Sequence, residues 1–179
     1  MKMLADFLRR RVADRRPPDF VIGDNYLRRW WVIPRNAWFN IYLHEFRRSD
    51  DDRALHDHPW WNASVLLEGS YQEYTPQGVF LRREGAIYFR RPTAAHRVAL
   101  INDQPVWTLF ITGPRVREWG FLCPRGWRHW TVFVSARDKG QEHKREPLLV
   151  PADMTRCGLS DQLGLELAEM RAASSQGPW

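Results

Sequence analysis

With 179 residues, 44% of them hydrophobic, and 10 Trp, 9 Phe and 5 Tyr, the chain has the length and apolar content of one globular domain, which excludes a disordered chain. Its 27 Lys and Arg against 21 Asp and Glu give a net charge of +6. The arginines come as scattered pairs (Arg28-Arg29, Arg47-Arg48, Arg82-Arg83, Arg90-Arg91), which on strands put one side chain on each face; a dedicated nucleic-acid surface is therefore not expected.

No apolar run reaches the roughly 18 residues of a membrane span, and the first eleven residues hold no stretch suited to a secretory signal. Cys123 and Cys157 lack the C-x-x-C spacing of a zinc knuckle and do not suggest a disulfide framework. Free thiols in a reducing cytoplasm are the expectation.

The chain opens with an amphipathic helix that has Leu4, Phe7 and Leu8 on one side. Pro17-Pro18 ends that pattern. From 27 to 135 the sequence reads as short strands separated by turn signals. Segment 26–34 is aromatic and β-branched. Segment 38–46 alternates, with Phe39, Ile41 and Leu43 on one face and Asn40, Tyr42 and His44 on the other. Segment 62–74 is a long strand or a pair marked by Gly69. Strands 78–83, 85–90, 96–101 and 106–112 follow, the last two joined by Asn102-Asp103-Gln104-Pro105. Segments 115–123 and 127–135 complete the run. Strands without intervening helical patterns predict an all-β sandwich or barrel. Segment 138–151 reads as a charged surface excursion. Segment 160–172 reads as a helix through Leu163, Leu165, Leu167 and Met170, with Ser160 as its N-cap. The expected organisation is an N-terminal helical extension (1–26), a β-barrel (27–135) and a C-terminal loop and helix (136–179).

His56-Asp57-His58 concentrates two of the six histidines at i and i+2, a spacing that puts both imidazoles on one face of a strand. His96, at the start of a later strand, can complete a cluster that holds a metal and leaves coordination positions open.

These residues carry a family resemblance. His56-x-His58, three residues, Asn62, six residues and Gly69 resemble the first motif of the cupin superfamily: glycine, five residues, His-x-His, three or four residues, Glu, six residues, glycine. Gly85 and His96 match the first glycine and the histidine of the second motif. The chain departs from the pattern at Asp50, in the place of the first glycine, and at Asn62, in the place of the metal-binding Glu. In the second motif Arg91, Thr93 and Leu100 stand in the proline, glycine and asparagine positions.

The resemblance implies a double-stranded β-helix, or jelly roll, over the barrel region, with His56, His58 and His96 as metal ligands. It leaves Asn62 or His44 as a fourth ligand or a hydrogen-bonding support. Three neutral imidazoles leave a divalent ion its full charge, which favours an anionic co-ligand. Cupins with three-histidine centres include thiol dioxygenases, so Fe(II) is the favoured ion, with Zn, Ni or Mn able to fill the same ligands. The implied activity is that of a non-haem iron oxygenase, an oxidoreductase acting on a small anionic substrate. Arg53, Tyr42, Arg90 and Trp60 are candidate substrate-binding residues, and Arg97 is a further anion clamp. His129 is a weaker candidate. Cupins are often dimers, which makes a homodimer an expectation of the resemblance alone. The alternatives are a non-catalytic small-molecule-binding or assembly cupin, and a nucleic-acid-binding basic domain.

Overall fold

The computed structural model describes residues 1–22, 25–50, 54–123 and 126–132. One helix, α1 (Lys2–Arg11), precedes strands β1 (Phe20–Ile22), β2 (Leu27–Trp31), β3 (Asn40–Phe46), β4 (Leu55–His56), β5 (Asn62–Glu68), β6 (Ser70–Thr75), β7 (Gly78–Arg83), β8 (Ile87–Arg90), β9 (Arg97–Leu100), β10 (Val106–Thr112), β11 (Gly120–Cys123) and β12 (Gly126–His129). Arg53, the 138–151 excursion and the 160–172 helix lie outside the described residues.

The strands pair antiparallel into a six-stranded sheet, β1-β2-β3-β10-β5-β8, and two three-stranded sheets, β12-β11-β4 and β7-β6-β9. A single bridge between His56 and His96 joins the two smaller sheets, so the second wall reads β12-β11-β4-β9-β6-β7. One wall thus carries β3-β10-β5-β8 and the other β4-β9-β6-β7. That interleaved order is the double-stranded β-helix, and the all-β expectation holds.

Alternation along each strand decides what faces the interior. Asn40, Tyr42 and His44, which the alternation puts on one face, point inward from β3 and are buried. Their cross-strand partners on β10 are Thr112, Phe110 and Thr108, all buried. On β5, Asn62, Ser64 and Leu66 continue the same three rows. One end of the interior is apolar, packed from Leu66, Tyr71, Val98, Leu100 and Val106. The other end is lined by Asn40, Thr112, Asn62 and Arg90.

Segment 62–74 is a pair of strands, broken at Gly69. That residue has φ +87°, and a Cβ there would lie 3.0 Å from the Pro105 carbonyl oxygen. A side chain at this crossing would meet both backbone strain and a clash. Gly85, the other motif glycine, also has positive φ, +86°.

Helix α1 packs on the outer face of the larger sheet. Ala5 and Leu8 join Trp30, Leu43, Leu67 and Trp107 in one buried cluster. The expected apolar side is only partly right, because Leu4 and Phe7 are exposed at 42% and 54%. Trp30 and Trp107 stack at 5.6 Å and rise from the sheet, so the small Ala5 permits the close approach. The free-thiol expectation fails at Cys123, which is disulfide-bonded. That removes the thiol-based argument for a reducing compartment. No helix among the described residues is long and apolar enough to cross a membrane.

Candidate metal centre

The backbone brings the three histidines together. His56 and His96 exchange both backbone hydrogen bonds, His56 N to His96 O and His96 N to His56 O, each 2.9 Å. Residues paired this way project their side chains to the same face. His58 lies two residues further along an extended segment, held by its N–H to Pro92 O at 3.1 Å. It therefore shares the face of His56.

Asp57, between them, points the opposite way and is buried. Its carboxylate accepts hydrogen bonds from Gly120 N at 2.7 Å and Trp127 Nε1 at 2.9 Å, and it pairs with Arg117. The alternation of the His-x-His segment thus does two jobs. The histidines face the interior, and the aspartate ties β4 to the β11–β12 hairpin.

The ligand nitrogens of His56, His58 and His96 all lie within 4.8 Å of one another. Ring centroids are 5.3 Å apart for His56–His58 and 5.1 Å for the other two pairs. His58 Nε2 and His96 Nε2 face each other at 2.9 Å. Glu73, on β6, supplies what the sequence reading missed. Its Oε1 accepts from His96 Nδ1 at 2.8 Å and from Arg90 Nε at 2.6 Å, and its Oε2 accepts from Arg82 Nε at 2.7 Å. Glu73 is 1% exposed, and the bond it accepts fixes the His96 proton on Nδ1, leaving a lone pair on Nε2. In sequence, Glu73 looks like any charged residue of an alternating strand. Its inward position follows only once Tyr71 is known to point into the barrel.

Burial raises the Glu73 carboxyl pKa, but the His96 hydrogen bond and the Arg90 charge more than offset this and bring it down to about 2. Burial pushes the His96 pKa down to about 4, only partly opposed by Glu73. Burial, then the His96 and His56 rings, put His58 well below its ordinary value. His58 and His96 are therefore neutral near pH 7, as metal ligation requires.

This donor set fits a divalent cation. Two lone-pair nitrogens pointing at each other repel unless a proton or a cation lies between them. Two imidazoles binding one ion at about 2.1 Å with a near-right angle between them have nitrogens roughly 3 Å apart, close to the separation seen. Imidazole ligands suit zinc, iron, nickel and copper alike.

The remaining candidates occupy distinct places. Asn62 is fully buried on the inner wall, and neither its Oδ1 nor its Nδ2 has a protein partner among the described residues. His44 lies outside the trio. Its Nε2 accepts from Arg29 Nε at 2.8 Å, and its ring stacks on Phe110 at 4.9 Å. Tyr42 stacks on His44. Trp60 meets His58 edge-on at 5.2 Å. Arg90 is committed to Glu73, and Arg97 lies over the Tyr74 ring at 4.3 Å. His129, on β12, contacts Trp127, Trp130 and Glu118.

No protein-family model and no curated protein matches the sequence. Solved structures do resemble it in fold. A conserved protein with a double-stranded β-helix domain from Klebsiella pneumoniae is 15% identical, with TM-score 0.45, over 57% of this chain and 90% of that one. A polyketide cyclase from Streptomyces resistomycificus is 17% identical, with TM-score 0.47, over 59% and 82%. A cupin domain from Bordetella pertussis is 18% identical, with TM-score 0.40, over 52% and 95%. The strand order, with a His-x-His on β4 meeting the histidine that precedes β9, makes the fold of the described residues a double-stranded β-helix.

Proposed function

We propose that His56, His58 and His96 hold a divalent metal ion and that the barrel acts on a small molecule bound beside it. The observation that carries this reading is the convergence of the three imidazoles, with Glu73 holding the Nδ1 proton of His96 so that Nε2 faces the shared centre.

The finer reading is a non-haem iron oxygenase with a small anionic substrate. Among the described residues no carboxylate joins the trio, so an ion bound by these three imidazoles would keep its full positive charge and favour an anionic partner. When bound, the ion supplies a Lewis-acid centre with open positions for substrate and dioxygen. The chain's own residues do the rest. Glu73 orients His96 and keeps it from rotating. Trp60 and Phe110 pack against His58, at 5.2 and 6.2 Å, and limit water around it.

The test is metal analysis of the purified chain, alone and after reconstitution with Fe(II), Zn, Ni or Mn. Stoichiometric metal in the wild type and its loss in His96→Ala and His58→Ala are the expected results. A His96→Ala variant that keeps full metal content sinks the three-histidine site. Oxygen consumption by the iron-loaded protein separates the oxygenase from a non-catalytic binding module, which would hold metal without consuming oxygen.

A further inference from the structure

The outer face of the larger sheet is only half covered. Helix α1 takes one half through Ala5 and Leu8. Beyond it, Leu109, Val65 and Ile87 share one cross-strand row, and Ile41, Ile111, Ala63 and Phe89 share the next. These positions alternate with the inward ones, and none is charged. Val65 and Leu109 also pack against the helix cluster, so the uncovered floor is continuous with the covered half. On β8, an edge strand, Ile87 and Phe89 are 70% and 65% exposed. Phe89 stacks on Trp61 at 5.7 Å, and Trp61 lies against Gly113. At the far end of the floor, Asn36 Oδ1 accepts from Trp38 N at 2.9 Å and Phe39 N at 3.0 Å, which fixes the turn that presents the exposed Phe39.

Helix α1 stands beside this floor as a ridge. Its first turn lies on the β8 side, where Met1 would be 3.6 Å from a Cβ on Gly85. Arg9 pairs with Glu68 and lies over Trp107, at the end of β5 away from Ala63. At about 100° per residue, Leu4 and Phe7 occupy the opposite flank and overlook the floor. Met3, 88% exposed, points away from its own sheet. The floor from Val65 to Trp61 is roughly 13 Å long, room for one helix about 10 Å across. Leu4, Phe7, Phe39, Ile87, Phe89 and Met3 together expose roughly 800 Å². The largest patch of a typical monomer is about 300–600 Å², and a stable interface takes about 800 Å² from each partner. A flat bilayer would meet the ridge and leave the floor empty. The described residues end just after β12 on the second wall, so the rest of the chain starts away from this face. A second copy, with the same ridge and the same floor, fills both.

We propose that this face joins two copies of the chain, each laying its α1 on the uncovered floor of the other. The two-fold axis then runs along the helices, which lie parallel and side by side between the two sheets. Leu4 and Phe7 meet their own counterparts across the axis, and Met3 meets the partner's Ile87 and Phe89. The same symmetry sets Arg11 of one copy near the partner's Arg11. That repulsion is screened by salt, so the dimer should tighten as ionic strength rises.

The test is sedimentation equilibrium of the full chain across the micromolar range, at low and high salt. The wild type is expected to dimerise with a micromolar or tighter dissociation constant, tightening with salt. Met3→Glu and Phe89→Glu should each weaken the dimer about tenfold or more, with metal content and circular dichroism unchanged. Leu122→Glu, at an exposed position of β11 on the second wall, should leave the dimer intact.

A wild type that stays monomeric overturns the proposal, as does a dimer that survives both Met3→Glu and Phe89→Glu. Should Phe89→Glu not fold, Met3→Glu decides alone, since that side chain stands in solvent in the single copy. A dimer broken by Leu122→Glu instead puts the contact on the second wall and also overturns it. Two further outcomes give the face to another occupant. A monomeric wild type that co-sediments with phosphatidylserine vesicles, and is released by salt or by Met3→Glu, assigns it to a lipid surface. A monomeric wild type that dimerises once Leu163 and Leu167 are both changed to Glu assigns it to segment 160–172 of the same chain.

Discussion

Glu73 and His96 share a hydrogen bond of 2.8 Å at a point where two arginines also converge on the carboxylate. The same group balances the buried Arg90 and the half-buried Arg82 and orients the His96 imidazole toward the other two histidines. Glu73→Gln keeps the shape and removes the charge. It should weaken metal affinity about 10- to 100-fold and lower stability by about 3–5 kcal/mol, because Arg82 and Arg90 lose their counter-charge. Metal titration and urea denaturation read the two effects separately. A large stability loss with unchanged metal affinity would make Glu73 a structural counter-ion only.

Tyr71 gives a pH dependence whose sign can be worked out. Burial raises its pKa to about 12, against smaller opposing effects from Arg90. A phenol with a raised folded-state pKa contributes stability that is fully present below the unfolded value near 10. That contribution is lost as pH rises toward about 12. It is on the order of 2–3 kcal/mol. Urea denaturation of wild type and Tyr71→Phe across the alkaline range should show the wild type losing stability more steeply. Parallel curves would mean that Tyr71 ionises as easily folded as unfolded.

Gly113 is a glycine of necessity for packing. A Cβ there would lie 2.0 Å from Trp61 Nε1, and Trp61 is itself stacked on Phe89 at 5.7 Å. Gly113→Ala must displace the indole, which should cost about 1–3 kcal/mol and shift the tryptophan fluorescence. Unchanged fluorescence and stability would show that Trp61 has room to move.

The sequence carried the parts of the fold that repeat locally and missed those that depend on a partner strand. Val106–Thr112 was predicted with its full bounds because the turn before it is chemically explicit: Asn102 and Asp103 both take φ +52°. β4 leaves no periodic signal of its own because Leu55–His56 is two residues long, too short to show a period. β11 is shorter than the 115–123 segment expected, since only Gly120–Cys123 pairs with neighbours among the described residues. The histidine trio was legible for a physical reason. The i, i+2 rule fixes the faces of His56 and His58, and His96 needed only to pair opposite His56. Glu73 and Arg29 were not legible, because a charged residue on an alternating strand reads as solvent-facing until the inward face is known. Asn62 stands where the pattern expects a carboxylate, whereas among the described residues the carboxylate that reaches the cluster is Glu73 on a different strand, through His96.

Asp57 and His96 separate the mechanical from the chemical half of the His-x-His segment. Asp57 holds Gly120, Trp127 and Arg117 on the face away from the histidines. Asp57→Asn would leave Arg117 without its counter-charge and weaken the two N–H bonds, at a cost of about 2–3 kcal/mol. Its backbone bond to Gly120 O, 2.9 Å, is untouched, so β4 should keep its course and the folded variant its metal stoichiometry. His96→Ala should do the reverse, losing metal while the β11–β12 hairpin stays protected. Thermal unfolding, metal content and amide exchange at Gly120 on both variants test this. Loss of metal in folded Asp57→Asn would mean that the hairpin tether, and not strand pairing alone, sets the spacing of the imidazoles.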